Sequence, residues 1–277
     1  MVVNLALMKN SQPVIFRDLG QMDYKTAWDY QEKLLQENVR IKSEARFPQA
    51  GSGERVIEKT PGTDPKTIST THYLLFVEHP PVYTLGKSGH MENVLLSEEN
   101  LRARGIEFFR TNRGGDITFH GPQQIVGYPI LDLEKFFTDI GRYMRNIEEV
   151  IIRALQEYGI EAGRSPGETG VWIDPEKKGL ERKICAIGVR SSRWITMHGF
   201  AFNVNTDLNY FNFIIPCGIQ NKQVTSLEKE LGHAMDMKEV KEKVKKNFES
   251  IFNVELIHAA DESLVKTGRG DQNSLGI

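Results

Sequence analysis

Cysteine is scarce: the 277 residues contain two, Cys185 and Cys217. Two thiols at unlike positions form neither a disulfide framework nor a structural zinc site, and they fit a reducing compartment. Charge of one sign is not in excess either. With 35 basic against 37 acidic residues the formal net charge is -2, so nothing points to nucleic acid or to a membrane surface. No apolar run approaches the roughly 20 residues of a membrane-spanning helix. The short apolar run in MVVNLALMKNSQ has no basic segment ahead of it, unlike a secretory signal. Internal repeats are not visible. The length allows one large domain or two small ones, and we expect one domain over residues 1–277 in the cytoplasm.

What is present reads as helices mixed with strands. Val14–Leu19, Tyr73–Glu78, Val82–Leu85, Glu107–Thr111, Val171–Ile173 and Val254–Ile257 have the apolar, β-branched character of strands. Asp23 caps an expected helix to about Arg40, with Tyr24, Ala27, Trp28, Gln31 and Leu35 as its core stripe. Ser97 caps a short helix to Arg104 that Gly105 ends, and residues 143–158 carry a strong helical stripe. Thr225 with Glu228 predicts a capping box, and Asp236 with Glu239 a similar start for the helix lined by Val240, Val244, Phe248 and Phe252. Lys42–Thr70 is polar and rich in glycine and proline, which predicts a long surface-loop insertion. Asp261–Ile277 is expected to fray. Strict βαβ alternation is absent, so the expected class is α+β with a mixed or antiparallel central sheet flanked by helices.

Two stretches carry chemistry. The first is Gly179–Ile219. In the expected strand 183–190 (KICAIGVR), period-two alternation puts Lys183, Cys185, Ile187 and Val189 on one face and Ile184, Ala186, Gly188 and Arg190 on the other. A lysine in apolar surroundings loses hydration, which disfavours its charged form and suits it to proton transfer; a lysine snorkelling from a strand start is the plain alternative. Ser191–Arg193 can close a hairpin to a return strand Trp194–Val204. There Gly199 and Ala201 leave a gap, which suits either a ligand or a closely packed neighbour. Ile214 and Ile215 read as a strand end stopped by Pro216, which leaves Cys217 at the exit. Cys217 is a nucleophile if a base comes near it and otherwise a buried thiol; Cys185, inside a strand, reads as an inert core residue.

The second stretch is Arg113–Ile130, RGGDITFHGPQQIVGYPI. Its glycines let backbone amides approach a ligand, and its mix of residues suits neither a regular strand nor a helix. Asp116 and His120 lack a third metal ligand, and His120 reads equally as structural or functional. Gly86-Lys87-Ser88 resembles a phosphate cradle only weakly, because the Walker spacing of glycines is absent.

Taken together, RGGDITFHGPQQIVGYPI, RKICAIGVR, HGFAFNV and IIPCGI resemble the signature segments of the lipoyl(octanoyl) transferase (LipB) family, in the right order and between about Val14 and Phe252. The resemblance implies a fold similar to the biotin and lipoate protein ligase catalytic domain. It also implies transfer of an octanoyl group from octanoyl-acyl carrier protein to a lysine of lipoyl domains, those of the 2-oxoacid dehydrogenases and of the glycine-cleavage H protein, by a monomer with no metal or other cofactor. By the same resemblance Cys217 is the acyl-thioester nucleophile, and Lys183 lowers its pKa and shuttles protons. Arg113, Gly114, Gly115, Asp116, Ile117, Thr118, Phe119 and His120 would line the acyl and pantetheine site, joined by Ala186, Ile187 and Gly188 and by Gly199, Phe200 and Ala201. Gln123 stands where the family usually has glycine, and the 42–70 insertion is longer than the family leads one to expect. The alternatives are an ATP-dependent lipoate or biotin ligase on the same fold, a cysteine thioesterase, and a module that only docks carrier proteins.

Overall fold

The computed structural model describes residues 11–46, 69–215 and 223–258. Cys217, the tail from Asp261 and most of the expected insertion lie outside the described residues.

Strand β1 (Gln12–Gln21) leads into helix α1 (Tyr24–Arg46), whose start is capped by the Asp23 carboxylate accepting from Thr26 N at 2.8 Å. The helix runs past the expected end at Arg40, so residues 42–46 are helix and not loop. The reason lies in Lys42, which is buried and pairs with Asp132 Oδ1 at 2.6 Å. A tertiary ion pair thus extends the helix beyond its apolar stripe.

Strands β2 (His72–Glu78), β3 (Val82–Leu85), β4 (Glu107–Arg110), β5 (Ile117–His120) and β6 (Gln124–Ile130) follow, with α2 (Glu98–Ala103) between β3 and β4. Two regular strands therefore occupy Arg113–Ile130, against expectation. The special residues fall between them: Gly114-Gly115 in one connection and Gly121-Pro122-Gln123 in the next, while every residue of β6 is buried. Next come α3 (Ile140–Gln156), β7 (Ala162–Gly163), β8 (Val171–Ile173), β9 (Arg182–Ser192) and β10 (Ile195–Asn203). A 3-10 turn (Leu208–Phe213) precedes β11 (Gln223–Val224), α4 (Leu227–Leu231), α5 (Met237–Phe252) and β12 (Val254–His258). Ser226, not Thr225, caps α4 by accepting from Lys229 N; the Thr225 hydroxyl donates to Glu230 instead.

The main sheet has the order β12-β1-β2-β6-β10-β9-β8-β7, with β11 added in parallel along β9. β12, β1 and β2 run parallel to one another, and β2 through β7 pair antiparallel along that order. A second sheet, β4-β3-β5, lies apart. Period-two alternation explains the layers. In β2, Leu74 and Phe76 pack with α3 and α5 through Ile147, Ile151, Val244 and Phe248. Leu75 and Val77 point the other way, to Ala27, Leu34 and Leu35 of α1. Among the described residues no helix is long and apolar enough to cross a membrane.

The β9–β10 hairpin turns at Arg193-Trp194, with φ values of 50° and 68°, and Ser192 pairs with Ile195. Two left-handed residues make the primed turn that matches strand twist, so β9 runs one residue beyond the expected turn start. Ile214 is not a strand end. It makes a single bridge to Val94, and Ile215 N donates to Asn93 O at 2.8 Å.

Candidate active site

The centre of the main sheet is built from small residues. A Cβ on Gly199 would fall 2.1 Å from Gly127 O, and one on Gly127 would fall 2.2 Å from the Phe200 ring. The gap read at Gly199 therefore admits the close approach of β6, while Gly199 also borders the cavity. Around these strands lies a cavity of about 430 Å³.

Its walls gather the separate sequence segments. β9 contributes Lys183, Ala186, Ile187 and Gly188; β10 contributes Gly199, Phe200 and Ala201. Arg113, Gly114, Gly115, Asp116, Ile117, Thr118 and His120 line it as well. Phe119 does not. It is buried in the apolar cluster around the second sheet, with Tyr83 and Leu101, and stacks 4.5 Å from Tyr210. Strict alternation in β9 also fails at its start. The register with β8 shifts between Val171 and Trp172, which face Cys185 and Lys183. The extra residue is a β-bulge, so Ile184 and Cys185 both enter the same core while Lys183 reaches the cavity.

The Lys183 ammonium lies over the Trp172 indole at 4.6 Å. Cys185 is fully buried, and burial pushes its thiol pKa up, against nucleophilic use. The described residues on either side of the Cys217 segment are both tied to this site. Ile215 is held by Asn93, whose side chain donates to Asp116 Oδ2 at 2.5 Å. On the other side Val224 pairs with Lys183, and Thr225 N donates to Lys183 O at 2.9 Å.

The Arg113 loop is fixed from several directions. Its guanidinium donates to Thr84 O at 2.5 Å, Thr84 Oγ1 at 3.0 Å and Gly114 O at 2.9 Å. The amides of Gly86, Lys87 and Ser88 donate to the carbonyls of Asp116, Arg113 and Gly115. Those amides are spent on the loop, which rules out the phosphate-cradle reading. Gln123 takes φ 61°, a left-handed conformation that favours glycine, and its Oε1 accepts from Asn205 Nδ2 at 2.8 Å.

Four histidines are buried, three of them about this site, and the sequence pointed to a site role only for His120. His120 binds Gln124 Oε1 at 3.0 Å and Thr84 Oγ1 at 3.3 Å; burial holds its pKa well below the ordinary 6.5. His79 bridges Met22 O and the Tyr128 hydroxyl, and burial brings its pKa to about 4. His198 binds Asn112 Oδ1 at 2.8 Å, and burial brings its pKa to about 3. His72, outside the cavity, accepts from Asp132 N and is lowered to about 4. His198 also has φ 57° in mid-strand, which turns its ring toward Trp28 of α1. Nothing in the local sequence signals that backbone. Tyr24, read as core stripe, lines the cavity too, and burial raises its hydroxyl pKa to about 12. Gln124, Tyr128 and Asn203 complete the polar wall. Among the described residues no cluster of three His, Cys, Asp or Glu could hold a metal.

Known proteins match this chain along nearly its whole described length. The sequence profile of the lipoyl protein ligase A/B catalytic domain matches residues 23–249. An octanoyltransferase of Christiangramia forsetii is 54% identical over 247 residues, 89% of this chain and 98% of that protein. An octanoyltransferase of Flavobacterium johnsoniae is 53% identical over 248 residues, 89% of this chain and 100% of that protein. Among solved structures, a bipartite lipoate protein ligase from Thermoplasma acidophilum superimposes with a TM-score of 0.59 at 16% identity, covering 90% of this chain and 87% of its own. A lipoate-protein ligase A bound with ATP does so at 0.59 and 13% identity, covering 90% and 88%. At such identities the likeness shows a shared fold.

Proposed function

The chain belongs to the lipoyl protein ligase A/B catalytic-domain family and is an acyltransferase of the octanoyltransferase kind, and we propose from that premise that it moves an octanoyl group from acyl carrier protein to a lysine of lipoyl domains through a thioester on Cys217. The observation that carries this reading is the placement of Lys183 on the cavity wall, with the described flanks of the Cys217 segment, Ile215 and Val224, tied to that same wall.

The chemistry follows from the residues. Lys183 takes the Sγ proton of Cys217, and the thiolate attacks the carbonyl carbon of the octanoyl thioester. A carbon–sulfur bond to the enzyme forms as the bond to the carrier's phosphopantetheine breaks, and Lys183 returns the proton to the departing thiol. The neutral amine of the acceptor lysine then attacks the acyl-enzyme. An amide forms, the Cys217 thiolate leaves, and Lys183 takes the proton from the new nitrogen. One thioester replaces another in the first half, so no nucleotide is needed. Apolar walls from Ile187, Val189, Phe200 and Val126 receive the chain, at roughly 0.8 kcal/mol per buried methylene.

Intact-mass analysis after mixing with octanoyl-carrier protein tests the proposal. An octanoyl adduct on Cys217 is expected, lost in Cys217→Ala. Full transfer by Cys217→Ala, or absolute dependence on ATP, overturns the mechanism and favours ligase chemistry.

A further inference from the structure

One carboxylate outside the cavity holds both ends of a loop that lines it. Glu148 of α3 is fully buried, with 0% of its side chain exposed. Its Oε2 accepts from Arg164 Nε at 2.9 Å and from Arg145 Nη1 at 2.6 Å, and its Oε1 accepts from Gly170 N at 3.0 Å. Arg164 opens the loop between β7 and β8, and Gly170 closes it. Between them Ser165-Pro166-Gly167-Glu168 makes a tight turn, Glu168 N donating to Ser165 O at 3.1 Å with Gly167 at φ 78°. Proline at the second place and left-handed glycine at the third define a type II turn. Gly167 and Glu168 of this turn, and Thr169 after it, line the cavity. The closing end lies against the catalytic wall: a Cβ on Gly170 would fall 2.6 Å from Cys185 O and 3.5 Å from Lys183 Cε.

We propose that Glu148 is a positioning residue for acyl transfer. By fixing Arg164 and Gly170 to one carboxylate it sets the cavity rim and the stem of Lys183 relative to the bound acyl group. The inference rests on the role proposed above for Lys183. An ionised carboxylate is the group that suits the task, because it only accepts and has capacity for both loop ends and Arg145 at once. A glutamine here must aim its NH2 at either Arg164 or Gly170 N, and so breaks one of the two ties; at the Arg164 end the bonds to Glu149 Oε2 at 2.8 Å and Arg145 O at 3.1 Å remain, so the loop is loosened there and freed at Gly170. Displacements near 1 Å cost reaction rates up to about a hundredfold.

The test uses Glu148→Gln and Arg164→Ala in the full chain, with octanoyl transfer measured per folded enzyme. Arg164 is 36% exposed, and without it Glu148 keeps Arg145 and Gly170 N as partners, so Arg164→Ala is expected to fold even where Glu148→Gln does not. Expected is a fall in kcat/KM of about tenfold or more in both, largely restored in Arg164→Lys. Trypsin should cut after Arg164 faster in Glu148→Gln than in the parent chain. A purely structural Glu148 would lower Tm and leave kcat/KM unchanged. Transfer by Arg164→Ala within twofold of the parent overturns the inference. A Lys183→Ala control separates the two ideas. Its full activity removes the proposed chemistry, whereas an inactive Lys183→Ala beside a fully active Arg164→Ala removes only the role of Glu148.

Discussion

Lys183 carries its ammonium 4.6 Å from the centre of the Trp172 ring, on the strand that pairs with its own backbone. An indole face attracts a cation by about 0.5–2 kcal/mol, so Trp172 steadies, where the cavity begins, the ammonium that Lys183 becomes on taking up a proton. Trp172→Phe keeps a weaker face and Trp172→Leu has none. Transfer rates should fall in that order, by about threefold and then tenfold or more. Equal rates in the two variants, measured per folded enzyme, would show that the ring merely fills space.

Acid should unfold this protein earlier than its carboxylates alone require. Burial holds His72 and His79 at about 4 and His198 at about 3, below the ordinary 6.5. The unfolded chain therefore takes up protons first as pH falls below 6.5. Stability from keeping these rings neutral is full above that pH and is lost on the way down to about 4 and 3. Each ring contributes on the order of 1.4 kcal/mol per pH unit within that window. Glu149, Glu157 and Glu230 have pKa values lowered from 4.5, chiefly by side-chain hydrogen bonds, so their contribution is lost only as pH falls below about 4.5 and leaves the range from 6.5 to 5 to the histidines. Urea midpoints should drop steadily between pH 6.5 and 5. A flat profile there contradicts the neutral histidine cluster.

Much of the architecture was legible because it rests on local rules. The β2 run, the stripe of α5 and its Asp236 cap stand where periodicity placed them. The family resemblance also brought the cavity segments together, Phe119 excepted. What escaped was decided by partners distant in sequence. Lys42 is helical because Asp132 waits ninety positions later, a pairing no window reveals. The bulge that separates Lys183 from the face of Cys185 comes from the register of β8, not from anything in KICAIGVR. His198 reads as an ordinary strand residue until its positive φ turns it toward Trp28.

The buried Lys42–Asp132 pair should be costly to break from one side. Their side chains are 8% and 2% exposed, and Asp132 also accepts from Thr70 Oγ1 at 2.9 Å. Asp132→Asn leaves the buried ammonium with only Glu134 Oε2 at 3.1 Å and the Arg193 carbonyl at 2.8 Å, for a loss of up to about 3 kcal/mol. Lys42→Met combined with Asp132→Asn should recover part of it, since the buried ammonium is gone and Glu134 is partly exposed to water. Chemical denaturation of the single and double variants reads the difference. A double variant as unstable as the sum of its parts refutes coupling across the pair.

Gln123 offers a test of backbone strain. Its φ of 61° costs a non-glycine residue about 1 kcal/mol or more, partly offset by the bond from Asn205. Gln123→Gly removes strain and bond together and should leave stability within about 1 kcal/mol of the parent. Gln123→Val keeps the strain, adds β-branching and loses the bond, so it should be the least stable. Thermal melts that place the valine variant level with glycine would refute the assignment.

Gly188→Ala probes how tightly the Arg113 loop is seated. A Cβ there would stand 2.9 Å from Gly114 O and 3.1 Å from Arg113 Cδ. Neither neighbour yields easily. Gly114 N is bonded to Val189 O at 2.9 Å, and the guanidinium is anchored on Thr84 and on Gly114 O. The methyl must therefore push the loop outward by a few tenths of an ångström and carry Asp116 and Thr118 with it, since they share the same cavity wall. The strand itself tolerates alanine, whose backbone preference is better than that of glycine by about 0.5–1 kcal/mol. Stability should change little while KM for the octanoyl donor rises about tenfold, because the loop and not the sheet absorbs the displacement. Unchanged KM with unchanged Tm would mean that the loop moves freely and that the glycine at position 188 has no part in shaping the site.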